Sequence, residues 1–256
     1  MSKLAKEDKF LDLSDYGRAV AKAIVKAFLG TRLTAISYTF LFGLCGLGAA
    51  FLMYHAYFKT AAFLLICKSI LDAADGEWAR QAKHPSYTGR YLDSVFDFLL
   101  NFLFVIMIAH ISQQPYSWAF VAFFCIQLQG TLYNFYYVIL RTRSVGGDST
   151  SKIFEKKAPV AFAYESQRVV NFLYKTYVLF YGTFDRLVYA LDGTAHRASR
   201  LPNWFMTTLS IYGLGFHLLV MAICLSLEIP QVILPYFIFS SLLFPVFLVL
   251  RKKILL

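Results

Sequence analysis

Asp72, Asp75, Asp93 and Asp97 crowd into one stretch of an otherwise apolar chain, LDAADGEWARQAKHPSYTGRYLDSVFDF. An unpaired aspartate at the centre of a membrane helix costs about 2.5–3.5 kcal/mol, so four would cost roughly 10–14 kcal/mol. Arg80 lies among them, but a single guanidinium cannot balance four carboxylates. Hard divalent cations, which take oxygen ligands, can do so. In a helix, Asp72, Asp75, Gly76 and Ala79 share one face, and Gly89, Asp93 and Asp97 share a face by the same arithmetic. If the two helices are antiparallel neighbours, both faces converge, and two divalent ions fit between the carboxylates as in two-metal phosphoryl chemistry. Gly76, Ala79 and Gly89 remove side-chain bulk where a ligand would approach. A helical glycine costs about 1 kcal/mol relative to alanine, which suggests that the space is needed. Arg80 is suited to hold a phosphate through two parallel hydrogen bonds. These residues point to a metal-dependent membrane enzyme.

The elements that must position these residues are membrane helices. The chain is 58% hydrophobic, 18% aromatic and only 16% charged, with a mean hydropathy of +0.55. That is the composition of a polytopic membrane protein and not of a soluble domain. Apolar runs long enough to span about 30 Å lie at 33–54, 58–79, 91–111, 115–140, 204–227 and 231–250. The expected fold is therefore all-α, with six transmembrane helices in a catalytic domain over 33–256. The net charge of +10 does not indicate a nucleic-acid partner, because nearly all Lys and Arg fall in 1–32, 80–90, 141–200 and 251–253, between the apolar runs. The segments 55–57, 112–114 and 228–230 are almost free of positive charge. By the positive-inside rule both termini and the aspartate cluster are cytoplasmic.

Segment 1–32 reads as cytoplasmic. Within it Leu13, Tyr16, Val20, Ile24 and Phe28 follow helical spacing, with Lys22 and Lys26 on the other side. This suits an amphipathic helix lying on the inner leaflet, or one packed on the cytoplasmic ends of the bundle. No signal peptide is apparent, since no apolar core with a cleavage site follows the first basic residues. Residues 141–203 form a cytoplasmic or half-embedded insertion, whose apolar part is interrupted by Lys175, Asp185 and Arg186. Cys45, Cys67, Cys125 and Cys224 lie in apolar runs without C-x-x-C spacing and read as core thiols. His55, His84, His110, His196 and His217 are too scattered to suggest a histidine metal site.

The pattern D-x2-D-G-x2-A-R-x8-G-x3-D-x3-D, filled by Asp72, Asp75, Gly76, Ala79, Arg80, Gly89, Asp93 and Asp97, resembles the signature of the CDP-alcohol phosphotransferases. The resemblance implies that Asp72, Asp75, Asp93 and Asp97 hold two Mg²⁺ or Mn²⁺ ions, with Asp97 also the general base. It implies that Asp72, Gly76, Ala79, Arg80 and Gly89 line the pocket for the CDP moiety. A family sequence near the start of the first span corresponds to Leu33–Ser37, but proline and asparagine are absent. Thr34 or Ser37 becomes a candidate nucleotide contact, with helix-start capping as the alternative.

The implied reaction is transfer of phosphatidyl from CDP-diacylglycerol to a small hydroxyl compound with release of CMP. A reversed variant moves a phospho-aminoalcohol from its CDP derivative to diacylglycerol. The partners are thus a CDP-linked donor, an alcohol acceptor and membrane lipids, and the family implies a homodimer. An ion-coupled transporter would also carry intramembrane carboxylates, but near the midplane of broken helices. Glu77 occupies a variable position of the pattern and receives no chemistry. Arg141 and Arg143 are candidates for an acidic acceptor or simple cytoplasmic anchors.

Overall fold

A computed structural model describes residues 4, 6–143, 150, 155–197 and 201–254. Among these the secondary structure is entirely helical: α1 (Arg18–Phe28), α2 (Ala35–Tyr54), α3 (Phe58–Gln81), α4 (Tyr87–Ile111), α5 (Tyr116–Arg143), α6 (Gln167–Asp192), α7 (Asn203–Leu209), α8 (Leu214–Ser226), α9 (Ile233–Ser240) and α10 (Leu243–Ile254). Much of the polar stretch after Arg143 expected as part of the insertion, 144–149 and 151–154, lies outside the described residues.

Four tight connections reverse the chain between long helices by one device. Ala56, Lys83, Gln113 and Glu228 each take a left-handed conformation, with φ of 60°, 52°, 52° and 59°. The following amide donates back to the carbonyl five residues earlier: Tyr57 to Leu52, His84 to Ala79, Gln114 to Ala109 and Ile229 to Cys224. This closes each helix by satisfying its orphan carbonyls. None of the four is the glycine that normally marks such an ending.

Two apolar centres hold the bundle. Phe42 of α2, Leu65 of α3, Phe104 of α4, Met221 of α8 and Phe237 of α9 belong to the first. Tyr136 of α5, Val188 of α6, Phe205 of α7 and Phe247 of α10 belong to the second. Packing is close at Gly46, where a Cβ would meet Leu100 Cδ1 at 2.7 Å and that side chain would have to shift. The outward faces stay apolar, as at Leu44, Phe51, Leu179 and Phe239. In a water-soluble protein such surface would be a liability, and against lipid it is the ordinary case.

Among the described residues, α2, α4 and Pro230–Lys253 are long and apolar enough to cross a membrane, and Asn203–Tyr212 with Leu214–Ser226 makes a fourth if that pair, bent by 53°, counts as one. Expected spans α3 and α5 have the length but carry polar stripes, including Lys68, Asp72 and Asp75 on α3 and Gln127, Thr131 and Asn134 on α5. These stripes line an internal cavity, except that of Lys68, which is fully buried beside it.

Helix α1 packs on the bundle through Ala21 and Val25, against Tyr38 and Ala74. That differs from the stripe expected from Leu13 to Phe28. Of that stripe Ile24 joins the packing, while Val20 and Phe28 remain exposed, because the small Ala21 lets α1 approach α3 closely.

Arg251, one of the basic residues 251–253, is buried and paired with Asp192 at the end of α6. Its Nε lies 2.5 Å from Asp192 Oδ2, which also accepts from the Tyr136 hydroxyl at 2.6 Å. One carboxylate therefore joins α5, α6 and α10. Removing one member strands the opposite charge, at a cost of roughly 3–5 kcal/mol. Asp192→Leu alone is expected to lower the unfolding temperature sharply in detergent, whereas Asp192→Leu with Arg251→Met recovers most of the loss. Equal destabilisation by the single and double variants would contradict the pairing.

Candidate metal centre and its cavity

The two motif helices, joined by the connection 82–86, face each other across a cavity, and α2 packs against both. The start of α4 is fixed first by Ser86, whose hydroxyl accepts from the Gly89 amide at 2.8 Å. Glu165 then reaches in from the segment before α6. It accepts from the Thr88 amide at 2.7 Å, from the Ser86 hydroxyl at 2.8 Å and from the Tyr87 amide at 3.3 Å. Burial opposes its ionisation, but these donors outweigh that and hold Glu165 below the ordinary glutamate range. The carboxylate also complements the positive end of the α4 dipole.

With both helices so placed, ligand oxygens of Asp72, Asp75 and Asp93 lie within 4.8 Å of one another, a group that could hold a metal ion. Asp75 is buried, and its Oδ2 accepts from the Thr39 hydroxyl at 3.0 Å. Asp93 Oδ1 is buried without a hydrogen-bond partner among the described residues. An orphaned carboxylate oxygen in a cluster of hard donors is what a divalent ion satisfies. The residues present therefore fit the group.

Asp97 is engaged differently. It pairs with Lys68, which also lies 3.2 Å from Asp72 Oδ2 and 4.7 Å from the centre of the Phe42 ring. The Lys68 side chain is 0% exposed. The internal cation among the aspartates is thus Lys68, which sequence reasoning missed. Its signal was present: Lys68 and Asp72 stand four apart on one helix, inside an apolar run that has no other use for a lysine. Arg80 does not pair with the aspartates. It donates to Glu77 at 2.8 Å, and Glu77 also accepts from Gln81 at 3.0 Å and faces Arg18 at 3.6 Å. Glu77, given no role from sequence, holds the guanidinium in place.

All four aspartates open into one cavity of about 450 Å³, which Gly76, Ala79, Arg80 and Gly89 also line. The space beside the two glycines is not empty. A Cβ on Gly76 would meet Arg80 Nη1 at 3.3 Å, and one on Gly89 would meet Ser86 Oγ at 3.2 Å. Thr34 and Ser37 are not among the lining residues. They form a reciprocal cap at the start of α2 instead, and Thr39 one turn further on reaches the site. Arg141 lines the cavity, while the side chain of Arg143 lies outside the described residues.

Segment 141–203 contributes directly, through Tyr177, Tyr181 and Asp185 of α6. Arg90, a third arginine at the cavity, is tied to Glu155 at 2.5 Å and to the Thr150 carbonyl. On the far side the turn Leu13–Asp15 brings Asp12, Ser14 and Asp15 to the wall. It approaches so closely that a Cβ on Gly215 would lie 1.8 Å from the Ser14 carbonyl oxygen. Only glycine is compatible with that approach.

Two outcomes follow from these contacts. Lys68→Met leaves Asp72 and Asp97 without their internal cation, so the unfolding temperature in EDTA should fall by the equivalent of about 3–5 kcal/mol. Mn²⁺ should then restore more of the stability than it adds to the wild type; an unchanged unfolding temperature in EDTA would remove Lys68 from this role. The lowered pKa of Glu165 stabilises the fold above the ordinary glutamate value, about 4.3, and that stability disappears as pH falls through the folded value. Thermal unfolding between pH 6 and pH 3 (about 4.3 lying inside that range) should therefore fall more steeply for wild type than for Glu165→Gln, and parallel curves would contradict the assignment.

A search of curated proteins finds no match, and neither does a search of solved structures. The family model described as CDP-alcohol phosphatidyltransferase matches residues 32–182, from the entrance of α2 into α6. That match covers more than half of the chain and contains the whole carboxylate cluster, and the chain belongs to the CDP-alcohol phosphatidyltransferase family.

Proposed function

We propose that this chain is an integral-membrane phospholipid synthase that transfers phosphatidyl from CDP-diacylglycerol to a small hydroxyl-bearing acceptor and releases CMP. The observation that carries the reading is the convergence of Asp72, Asp75 and Asp93 in a cavity that also contains Asp97 and Arg80. Asp72, Asp75, Asp93 and Asp97 would hold two Mg²⁺ or Mn²⁺ ions. Bound there, the metal neutralises the pyrophosphate and improves CMP as a leaving group.

The protein's own groups supply the rest. Gly76, Ala79, Arg80 and Gly89 form the wall for the CDP moiety, with Arg80, braced by Glu77, aimed at a phosphate. Asp97 takes the proton from the acceptor hydroxyl. The acceptor oxygen then attacks the phosphorus that bears the diacylglycerol in line, the bond to the bridging oxygen breaks, and CMP carries away that oxygen. Lys68 holds the Asp97 carboxylate in position.

In this reading the membrane is crossed by α2, α3, α4, α5, the bent pair α7–α8 and the pair α9–α10. Both termini and the metal centre then lie on the cytoplasmic side, which the distribution of Lys and Arg supports. Helix α1 would lie at the inner leaflet, with Val20, Phe28 and Leu29 exposed beside Lys22 and Lys26.

The test is CMP release by the purified protein from CDP-diacylglycerol in the presence of alcohol acceptors. The reaction should require Mg²⁺ or Mn²⁺ and stop with chelator. Asp97→Asn should lose at least 100-fold in turnover, of the order expected for a general base, while retaining CDP-diacylglycerol binding. Asp93→Asn should shift the Mn²⁺ titration as well as the rate. Ion transport without any nucleotide would sink the proposal.

A further inference from the structure

The inner end of the cavity holds a second group of polar side chains that the transfer chemistry does not use. Asn101 continues the stripe of Gly89, Asp93 and Asp97 by one more helical turn, about 6 Å beyond Asp97. Gln127 and Thr131 stand on successive turns of α5, and His217 comes from α8; all four line the cavity. Their exposures are only 4, 3, 6 and 2%. Each nevertheless has a buried polar atom without a partner among the described residues: Asn101 Oδ1, Gln127 Nε2, Thr131 Oγ1 and His217 Nε2.

Buried polar groups are nearly always hydrogen-bonded. Four unmet groups from three helices, in the cavity that holds the carboxylates, mark a place where a ligand supplies the missing bonds. The set mixes amide, hydroxyl and imidazole, so it offers both donors and acceptors. A hydroxyl group does both in return. The arginines of the cavity, Arg80, Arg90 and Arg141, stand on other turns, at the helix ends nearest the connection 82–86 and the end of α5. None of these four side chains offers a permanent cation for a phosphate.

Building on the phosphatidyl-transfer reading, we propose that Asn101, Gln127, Thr131 and His217 form the acceptor subsite, and that it takes an uncharged small polyol. The polyol occupies the inner end with several hydroxyls on these groups and presents one hydroxyl to Asp97. The CDP-linked donor occupies the outer part beside Arg80. A phosphorylated alcohol would bring a negative charge to a subsite whose four groups offer no permanent cation, close to the Asp97 carboxylate.

The experiment compares glycerol and myo-inositol with glycerol 3-phosphate, inositol phosphate and serine as acceptors, reading CMP release and lipid products by mass spectrometry. Wild type should use an uncharged polyol at least tenfold more efficiently than its phosphorylated counterpart. Thr131→Val and Gln127→Leu, made separately so that a folding defect in one leaves the other to decide, should raise the polyol KM at least tenfold. The KM for CDP-diacylglycerol should stay within twofold. Without polyol these variants should unfold no earlier than wild type, because the groups they remove have no partner to lose. Preference for a charged acceptor, or an unchanged polyol KM, overturns the subsite while leaving phosphatidyl transfer standing. Absence of CMP release with every acceptor overturns both.

Discussion

Lys68 stands fully buried between Asp72 and Asp97, and the remainder of the bundle is arranged around the charge imbalance that it only partly relieves. One ammonium pairs with two of the four carboxylates, so the cluster is only partly compensated and keeps a local negative field. A metal-requiring site needs that field, since a fully neutralised cluster would have little affinity for a divalent ion. A cluster with no internal cation would instead strain the bundle during assembly, before any metal arrives. Lys68 is placed to serve both demands. It pairs with the two carboxylates at the edges of the cluster, whereas Asp75 is held by Thr39 and Asp93 keeps a bare oxygen.

A site built on two helices is open on its other sides, and residues distant in sequence close it. Glu165 caps the start of α4, Asp12 accepts from the Tyr133 hydroxyl at 2.6 Å, and the Leu13 amide donates to Ser210 Oγ at 2.9 Å. Each contact satisfies a polar group that apolar surroundings would otherwise penalise. The same requirement governs Glu77 and Arg80. Glu77 accepts from Arg80 Nη2 and so holds the guanidinium at the cavity wall.

The grouping of the aspartates was legible in the sequence because it depends on spacing along single helices. Asp72 with Asp75, and Gly89 with Asp93 and Asp97, need only helical periodicity to be grouped, and the short connection makes the two faces meet. The spans with plain apolar faces, α2 and α4, were legible for the same reason. What depends on contacts between distant segments was not. Glu165 and Thr39 look ordinary until the fold brings them to the site, and Arg251 looks like one of three terminal basic residues until Asp192 is found beside it. The reversals at Ala56, Lys83, Gln113 and Glu228 carry no glycine, so the usual punctuation is missing. Of the two roles weighed for Thr34, the structure shows the cap of α2.

The stripe on α4 separates two properties that a single pocket must combine. Gly89, Asp93 and Asp97 belong to the signature, and Asn101 continues the same face just beyond it. Helical geometry thus sets these four positions in line at intervals of about 6 Å. Gln127 and Thr131 lie on α5, which contributes no carboxylate to the cluster. Substitutions on α5 can therefore alter the shape and polarity of the inner end without moving a metal ligand. The reverse does not hold, because Asp97 touches Lys68 and Lys68 touches Asp72, so any shift at the base is transmitted to the cluster. The stripe on α4 is thus tied to the carboxylate cluster, whereas the polar residues of α5 can vary independently of it.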